Sequence, residues 1–156
     1  MLSDLLAGLN TTKDKTLSYF ELPESKLYLT YGPDKWCVKE ILHHLADAET
    51  ILYERVRRPL CEPAPVMWGF AQDEWCKHLA YKDTPLEMNK EVYTTIRKAI
   101  IAMAVRFYES HGDMKFNHSR MGIRTVKEEF EKVVWHNQSH LDQIELALGE
   151  EIRDRR

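Results

Sequence analysis

The chain has few cysteines, no long apolar run, no long basic run and no internal repeat. Its three cysteines, Cys37, Cys61 and Cys76, are an odd number without CxxC spacing, which argues against a disulfide framework and a thiolate metal site. No segment reaches the apolar length of a membrane span. The first residues lack a basic region followed by an apolar stretch, so we expect no signal peptide. Together these absences favour a cytoplasmic protein.

Positive charge is not in excess either. The chain has 22 Lys and Arg against 25 Asp and Glu, which gives a formal net charge of -3. We therefore expect neither nucleic acid nor an anionic membrane as a partner. With 156 residues, of which 44% are hydrophobic and 30% charged, the composition predicts one globular domain over residues 1–156.

Apolar residues recur at helical spacing in four segments, residues 3–20, 37–57, 84–112 and 125–149. We expect Pro59 to end the helix of the second segment. The third helix is predicted to turn six residues inward, Val92, Ile96, Ala99, Ile100, Met103 and Phe107. No run of alternating apolar and polar residues stands out, so the sequence predicts no strand.

Two capping boxes mark predicted helix starts, one from Thr84 to Glu87 and one from Thr125 to Glu128. Residues 59–83 form a long connection, in which the aromatic-rich residues 67–75 could form a short helix. The predicted fold class is therefore all-α, a four-helix bundle with a long crossover between helices 2 and 3. Bundles of this kind build sites between facing helices.

Histidines are the clearest candidates for chemistry. His136 and His140 are four residues apart on the fourth predicted helix, so they project from one face about one turn apart. At about 100° per residue, they lie about 110° and about 70° from the centre of that helix's apolar stripe. His44 lies about 100° from the stripe centre of the second helix, whereas His43 is predicted to point to solvent. His44, His136 and His140 could therefore meet in a cleft between two helices.

Three imidazoles without a thiolate suit zinc, nickel, copper or iron(II), and they leave a coordination position open. Asp47, Glu49 and Gln143 lie nearby in the sequence and are candidates to orient the ligands. A simpler interpretation also fits, in which the histidines are half-buried polar groups and Asp47 and Gln143 are surface groups. His118 fits either a loop-stabilising residue or part of a site.

Two separated motifs resemble the signature of the DinB-like (YfiT-like) superfamily. In residues 36–49, Trp36 precedes a helix that carries His44, and residues 135–144 contain His136-x-x-x-His140 followed by Gln143. Further similarity covers residues 69–75, Arg97 and residues 118–125. This resemblance implies a four-helix bundle, metal ligands at the three histidines, a divalent ion such as zinc or nickel, and a homodimer. Cys37 departs from the serine that often caps this helix in the family.

Characterised members of that superfamily include transferases for low-molecular-weight thiols and a thiol-dependent maleylpyruvate isomerase, and many others are named as metal-dependent hydrolases. The resemblance therefore implies a metal-dependent enzyme that activates water or a small thiol for hydrolysis or thiol transfer on a small electrophilic substrate. Asp47 and Gln143 are predicted near the ligands, and no catalytic acid or base is identified. The alternative is a non-catalytic dimeric interaction or scaffold protein with a vestigial or structural metal site.

Overall fold

Four long helices dominate the computed structural model, which describes residues 1–149. They are α1 (Leu2–Tyr19), α3 (Val38–Cys61), α5 (Glu87–His111) and α6 (Val126–Ala147), and the short helices α2 (Glu24–Leu27) and α4 (Gln72–His78) lie in the connections. Helices α1 and α3 each pack against both α5 and α6. The predicted four-helix bundle with a long crossover between its second and third long helices is confirmed. Within the described residues, none of the helices has the length and apolar character needed to cross a membrane.

The prediction that Pro59 ends the second long helix is wrong. Helix α3 continues through Pro59 to Cys61, and the N–H of Glu62 still donates to the carbonyl of Arg58 at 2.9 Å. Proline removes one backbone donor and crowds the carbonyl four residues earlier. Because Pro59 lies in the last turn of α3, few helical bonds remain beyond it to be disturbed.

The two predicted capping boxes have different outcomes. At the start of α6, the Thr125 hydroxyl accepts from the N–H of Glu128 at 3.2 Å, and the Glu128 carboxylate accepts from the N–H of Thr125 at 2.7 Å. The box at Thr84 is wrong, because its hydroxyl instead donates to two carbonyls in residues 79–80. Helix α5 consequently begins only at Glu87.

A small three-stranded sheet is present although the sequence predicts no strand. Strand β1 (Val66–Met67) pairs in parallel with β2 (Lys115–His118), which pairs antiparallel with β3 (Gly122–Thr125). The register sets Met67 opposite His118. Strands of two to four residues are too short to produce a recognisable alternation. The sheet ties the connection after α3 to the hairpin that leads into α6.

The bundle core consists of two apolar clusters. The first contains Leu5, Leu9, Leu52, Val56, Ile100, Ala104, Tyr108, Val126, Phe130 and Val133. The second contains Tyr19, Phe20, Val38, Ile41, Leu42, Leu45, Ala46, Tyr93, Leu141 and Ile144. Along each long helix, buried polar side chains occupy the positions between the two clusters. This buried polar layer consists of Thr12, Thr16, Glu49, Arg97 and Asn137.

Arg97 is the centre of the buried polar layer and is fully buried. Its guanidinium donates to both carboxylate oxygens of Glu49, at 2.8 and 2.5 Å, and to the amide oxygen of Asn137 at 2.7 Å. The remaining donors reach the Leu9 carbonyl at 3.0 Å and the Thr12 hydroxyl at 2.8 Å. All five N–H groups of the arginine are therefore satisfied. One side chain of α5 thus links α1, α3 and α6.

The buried face of α5 differs from the predicted one. Of the six residues predicted to point inward, Ile100 is fully buried and the others are only partly buried. The buried residues of this helix are Tyr93, Arg97, Ile100, Ala104 and Tyr108. The predicted inward face is rotated relative to the buried face of the structure, because a prediction from hydrophobicity alone places Arg97 on the outside of the helix.

Candidate metal centre

His44 on α3 and His136 and His140 on α6 lie together in the structure, and we call them the histidine cluster. One ring nitrogen from each lies within 4.8 Å of the other two, and the Nε2 atoms of His44 and His136 are 3.1 Å apart. His44 and His140 are buried, and His136 is half-buried. The cluster forms because α3 packs against α6 and because residues four apart share a helix face.

Two of the three nitrogen atoms have the separation that a single transition-metal ion requires. Zinc–nitrogen bonds are about 2.0–2.1 Å long, so two nitrogens on one tetrahedral zinc are roughly 3.3 Å apart. The 3.1 Å between His44 and His136 is close to that spacing. Within the described residues, the buried Nδ1 of His44 has no hydrogen-bond partner. The protein therefore orients His44 by packing, and its described residues supply three nitrogen donors, so that a tetrahedral ion held by them would keep one position for another ligand.

All three imidazoles are held in their neutral form. Burial is the main reason that the pKa of His44 falls to about 2 and that of His136 to about 3, and repulsion from neighbouring histidines adds to it. Burial also lowers the pKa of His140, against the opposing effect of its hydrogen bond to Gln143. Because metal ligation requires neutral imidazole, an ion would displace few protons here at neutral pH.

Gln143 sets the orientation of one histidine in the cluster. Its Oε1 lies 2.9 Å from Nδ1 of His140. An amide oxygen can only accept, so the imidazole hydrogen is on Nδ1 and the lone pair of Nε2 remains available. This contact has the form by which an outer partner fixes the tautomer of a metal-binding histidine.

The two acidic candidates bond elsewhere. The Asp47 carboxylate accepts a hydrogen bond from the Tyr81 hydroxyl, and burial raises the pKa of Asp47. Glu49 pairs with Arg97 in the buried polar layer. Within the described residues, neither carboxylate is hydrogen-bonded to the histidine cluster.

The prediction that His43 points to solvent is wrong. His43 is 1% exposed, stacks on Tyr81 with ring centroids 5.2 Å apart, and has Nε2 2.9 Å from the Thr84 carbonyl oxygen. The helical-wheel prediction assumes that the face of α3 opposite its apolar stripe is exposed to solvent. The chain between α3 and α5 instead folds over that face and buries it.

Aromatic rings cover the histidine cluster. The Trp36 ring lies 5.0 Å from that of His44 and stacks on His140 at 6.3 Å. On another side, Phe70 stacks on His44 at 5.5 Å with an interplanar angle of 5°. Trp36 comes from the loop before α3, and Phe70 comes from the long connection after it. These rings limit the access of water to the nitrogen atoms.

Two cavities border the histidine cluster. A cavity of about 240 Å³ is lined by His140 and Gln143, together with Tyr31, Asp34, Lys35, Trp36, Gln72 and Asp73. A second cavity, of about 190 Å³, is reached by His136 and is called the basic cavity here. Its other lining residues are Ala48, Ile51, Leu52, Arg55, Gly69, Phe70, Gln72, His118, Arg120, Met121 and Lys132. A small molecule can therefore approach the cluster from two sides.

The family model described as the DinB superfamily matches residues 9–144. The chain belongs to the DinB superfamily. A protein of Oceanobacillus iheyensis, proposed by its name to be a metal-dependent hydrolase, is 29% identical to this DinB chain over 130 residues, covering 82% of the chain and 73% of the relative. A protein of Halalkalibacterium halodurans with the same proposed activity is 23% identical over 127 residues, covering 81% and 74%.

A solved structure resembles the whole DinB domain described here. YfiT from Bacillus subtilis, a four-helix bundle of unusual topology, matches with a TM-score of 0.83 and 19% sequence identity. The match covers 96% of this chain and 89% of YfiT. At this identity the similarity establishes the shared fold.

Several residues around the cluster were not identified as candidates from the sequence. Arg55, Arg120 and Lys132 line the basic cavity, and His118, for which two roles were open, also lines it. Lys132 had a usable signal, because it precedes His136 by four residues and so shares its helix face. Arg55 and His118 reach the cavity through the packing of α3 and the small sheet, which the sequence pattern does not reveal.

Proposed function

We propose that this DinB-superfamily protein is an enzyme that uses one divalent transition metal, zinc or nickel, held by His44, His136 and His140. The observation that carries this proposal is the convergence of three neutral, largely buried imidazole nitrogens beside two cavities. A divalent ion with an open position supplies Lewis-acid chemistry, which lowers the pKa of a bound water or thiol and polarises a carbonyl. Its substrate is a small electrophilic molecule.

The surrounding residues have distinct tasks in this proposal. Gln143 holds the hydrogen of His140 on Nδ1 and so keeps its other nitrogen free for the ion. Trp36 and Phe70 pack on the imidazoles and limit water around them. The names of the relatives support hydrolysis as the reaction. Transfer of a low-molecular-weight thiol and a homodimeric state remain predictions from the family resemblance.

The test is the metal content of protein purified without a histidine tag. The parent chain is compared with a His136→Ala, His140→Ala double variant and with a control in which the exposed His78 and His111 are both replaced by alanine. Elemental analysis should find about one equivalent of a transition metal in the parent and the control, and almost none in the His136, His140 variant. Circular dichroism checks that all three chains are folded.

The opposite result would overturn the proposal. If the folded parent contains no metal and takes up neither zinc nor nickel when they are supplied, the histidines are not a metal site. The non-catalytic interaction or scaffold protein would then be the better account. If metal is present, screening of ester, amide and thiol-transfer substrates with the loaded protein follows.

A further inference from the structure

The basic cavity has an unusual balance of charge. Arg55, Arg120 and Lys132 line it, and none of the described side chains that line it is a carboxylate. Glu129 is fully buried and already lies within ion-pair distance of both Arg55 and Arg124. The carboxylates that act on Arg55 and Lys132, Glu129 and Glu54, are not among the lining residues, so the described lining carries only positive charge.

Lys132 is not neutralised by a direct partner. Within residues 1–149 its ammonium forms no hydrogen bond and no ion pair, although it feels the charge of Glu129 at longer range. Burial lowers the pKa of Lys132, and repulsion from Arg55 and Arg124 adds to that effect. A half-buried lysine without a partner is costly to keep charged, and a bound anion would offset this cost.

Arg55 and His118 also each have a side-chain hydrogen-bond donor without a partner among the described residues. Arg55 is 4% exposed, and one of its amino groups donates to the Trp68 carbonyl at 2.6 Å, but its buried Nε has no partner among the described residues. Nδ1 of His118 accepts from two backbone N–H groups of residues 120–121, at 3.2 and 3.3 Å. The hydrogen of this imidazole is therefore on Nε2, which has no partner within residues 1–149.

The geometry points to an oxyanion-binding subsite in the basic cavity, in which Lys132, Arg55 and His118 hold the carboxylate or phosphate of a small substrate. The remaining lining is largely apolar, from Ala48, Ile51, Leu52, Phe70 and Met121. A ligand with an anionic end and a short apolar body would place its charge near the cationic residues of the cavity and its body against the apolar ones. The assignment of this ligand as the substrate rests on the proposed metal function. The binding of an anion in the cavity is independent of that function.

The spacing along α6 limits the size of such a substrate. Lys132 precedes His136 by four residues, which is about 6 Å along the helix axis. The cavity itself, of about 190 Å³, has room for a small molecule. The anionic group of the substrate therefore lies a few bonds from the atom that reacts at the histidine cluster.

The experiment is an NMR titration of the full ¹⁵N-labelled chain at low ionic strength, after removal of metal by a chelator. The ligands are butyrate, its neutral amide butyramide, and inorganic phosphate, and the amide signals of Gly69, Arg120 and Met121 report on the cavity. We expect saturable shifts with butyrate or phosphate, weaker binding at higher salt, and little response to butyramide. The anion that binds more tightly identifies the group as carboxylate or phosphate.

Two variants locate the binding. Lys132→Met should weaken anion binding by at least about fivefold, because it removes a charge-assisted contact. Lys98→Met, a matched loss of an exposed lysine on α5, should leave the affinity unchanged. The comparison of butyrate with butyramide in the parent chain requires no substitution, so it decides the question even if Lys132→Met does not fold.

Failure of the subsite can be separated from failure of the metal site. The inference is overturned if neither anion gives saturable shifts, if butyramide binds as well as butyrate, or if folded Lys132→Met binds the anion like the parent. Saturable anion binding by a chain that takes up neither zinc nor nickel would support the subsite and overturn only the proposed metal function.

Discussion

Removal of the Arg97 guanidinium should destabilise the protein more than almost any surface change. In Arg97→Met, the carboxylate of Glu49 would remain in a site where it is 2% exposed, without the two hydrogen bonds that compensate its charge. The Leu9 carbonyl, Thr12 and Asn137 would each lose a donor as well. Breaking a buried ion pair by removing one partner costs about 3–5 kcal/mol.

This cost is a large share of the stability of an ordinary domain, which is about 5–15 kcal/mol. In urea denaturation followed by circular dichroism, the urea concentration at the midpoint of unfolding should be lower for Arg97→Met than for the parent chain. For a chain of this size, about 1 kcal/mol corresponds to a change of about 2–4 °C in melting temperature, so we expect a decrease of roughly 6–20 °C. Arg106→Met, which removes an exposed arginine of the same helix, should cost less than about 1 kcal/mol.

The double variant Arg97→Met, Glu49→Leu separates lost charge compensation from lost packing. With both charges absent, the unfolding free energy should recover part of the loss of the single variant, so the two substitutions should not be additive. The reasoning is refuted if Arg97→Met costs less than about 1 kcal/mol. It is also refuted if the double variant is less stable by the full sum of both single effects.

Three further predictions concern the histidine cluster. Gln143→Leu should weaken zinc binding by about 10–100-fold in a competition with a chromophoric chelator, and Gln143→Glu, which retains an acceptor, should bind more tightly than Gln143→Leu. Asp47→Asn should have a smaller effect than Gln143→Leu in the same assay, because Asp47 bonds to Tyr81, and the reverse order would contradict these contacts. Since burial lowers the pKa of His44 and His136 below the unfolded value near 6.5, the unfolded chain binds more protons below that pH. The metal-free protein should therefore lose stability as the pH falls from about 7 to 5, by up to about 1.4 kcal/mol per pH unit for each histidine, and His136→Gln should reduce this slope in urea denaturation.

The sequence predicted the features that depend on the spacing within one helix. The apolar residues that recur at helical spacing along α3 are buried, as predicted: Val38, Ile41, Leu42, Leu45, Leu52 and Val56. His136 and His140, one turn apart on α6, lie on one face beside His44. His43 shows the limit of this reasoning. Its exposure depends on a separate segment, which folds over α3 and brings Tyr81 onto the imidazole.

The face of α5 could not be predicted because it depends on three other helices. A fully buried arginine is stable only when its charge and its donors are satisfied, and here the partners of Arg97 come from α1, α3 and α6. No window of residues along α5 contains that information. The lining of the basic cavity could be predicted only in part for the same reason. The spacing of Lys132 from His136 places it on the same face of α6, but Arg55 and His118 belong to α3 and β2.

One rotation of α6 serves both the buried polar layer and the candidate site. Lys132, His136, His140 and Gln143 follow each other at spacings of four, four and three residues, so they form a single stripe along the helix. Asn137 is adjacent to His136 and accepts the hydrogen bond of Arg97. A turn of α6 by one residue, about 100°, would remove Asn137 from Arg97 and move the stripe away from His44. The buried polar layer therefore fixes the helix rotation that brings Lys132 of the basic cavity, the two histidines of α6 and the amide of Gln143 into line.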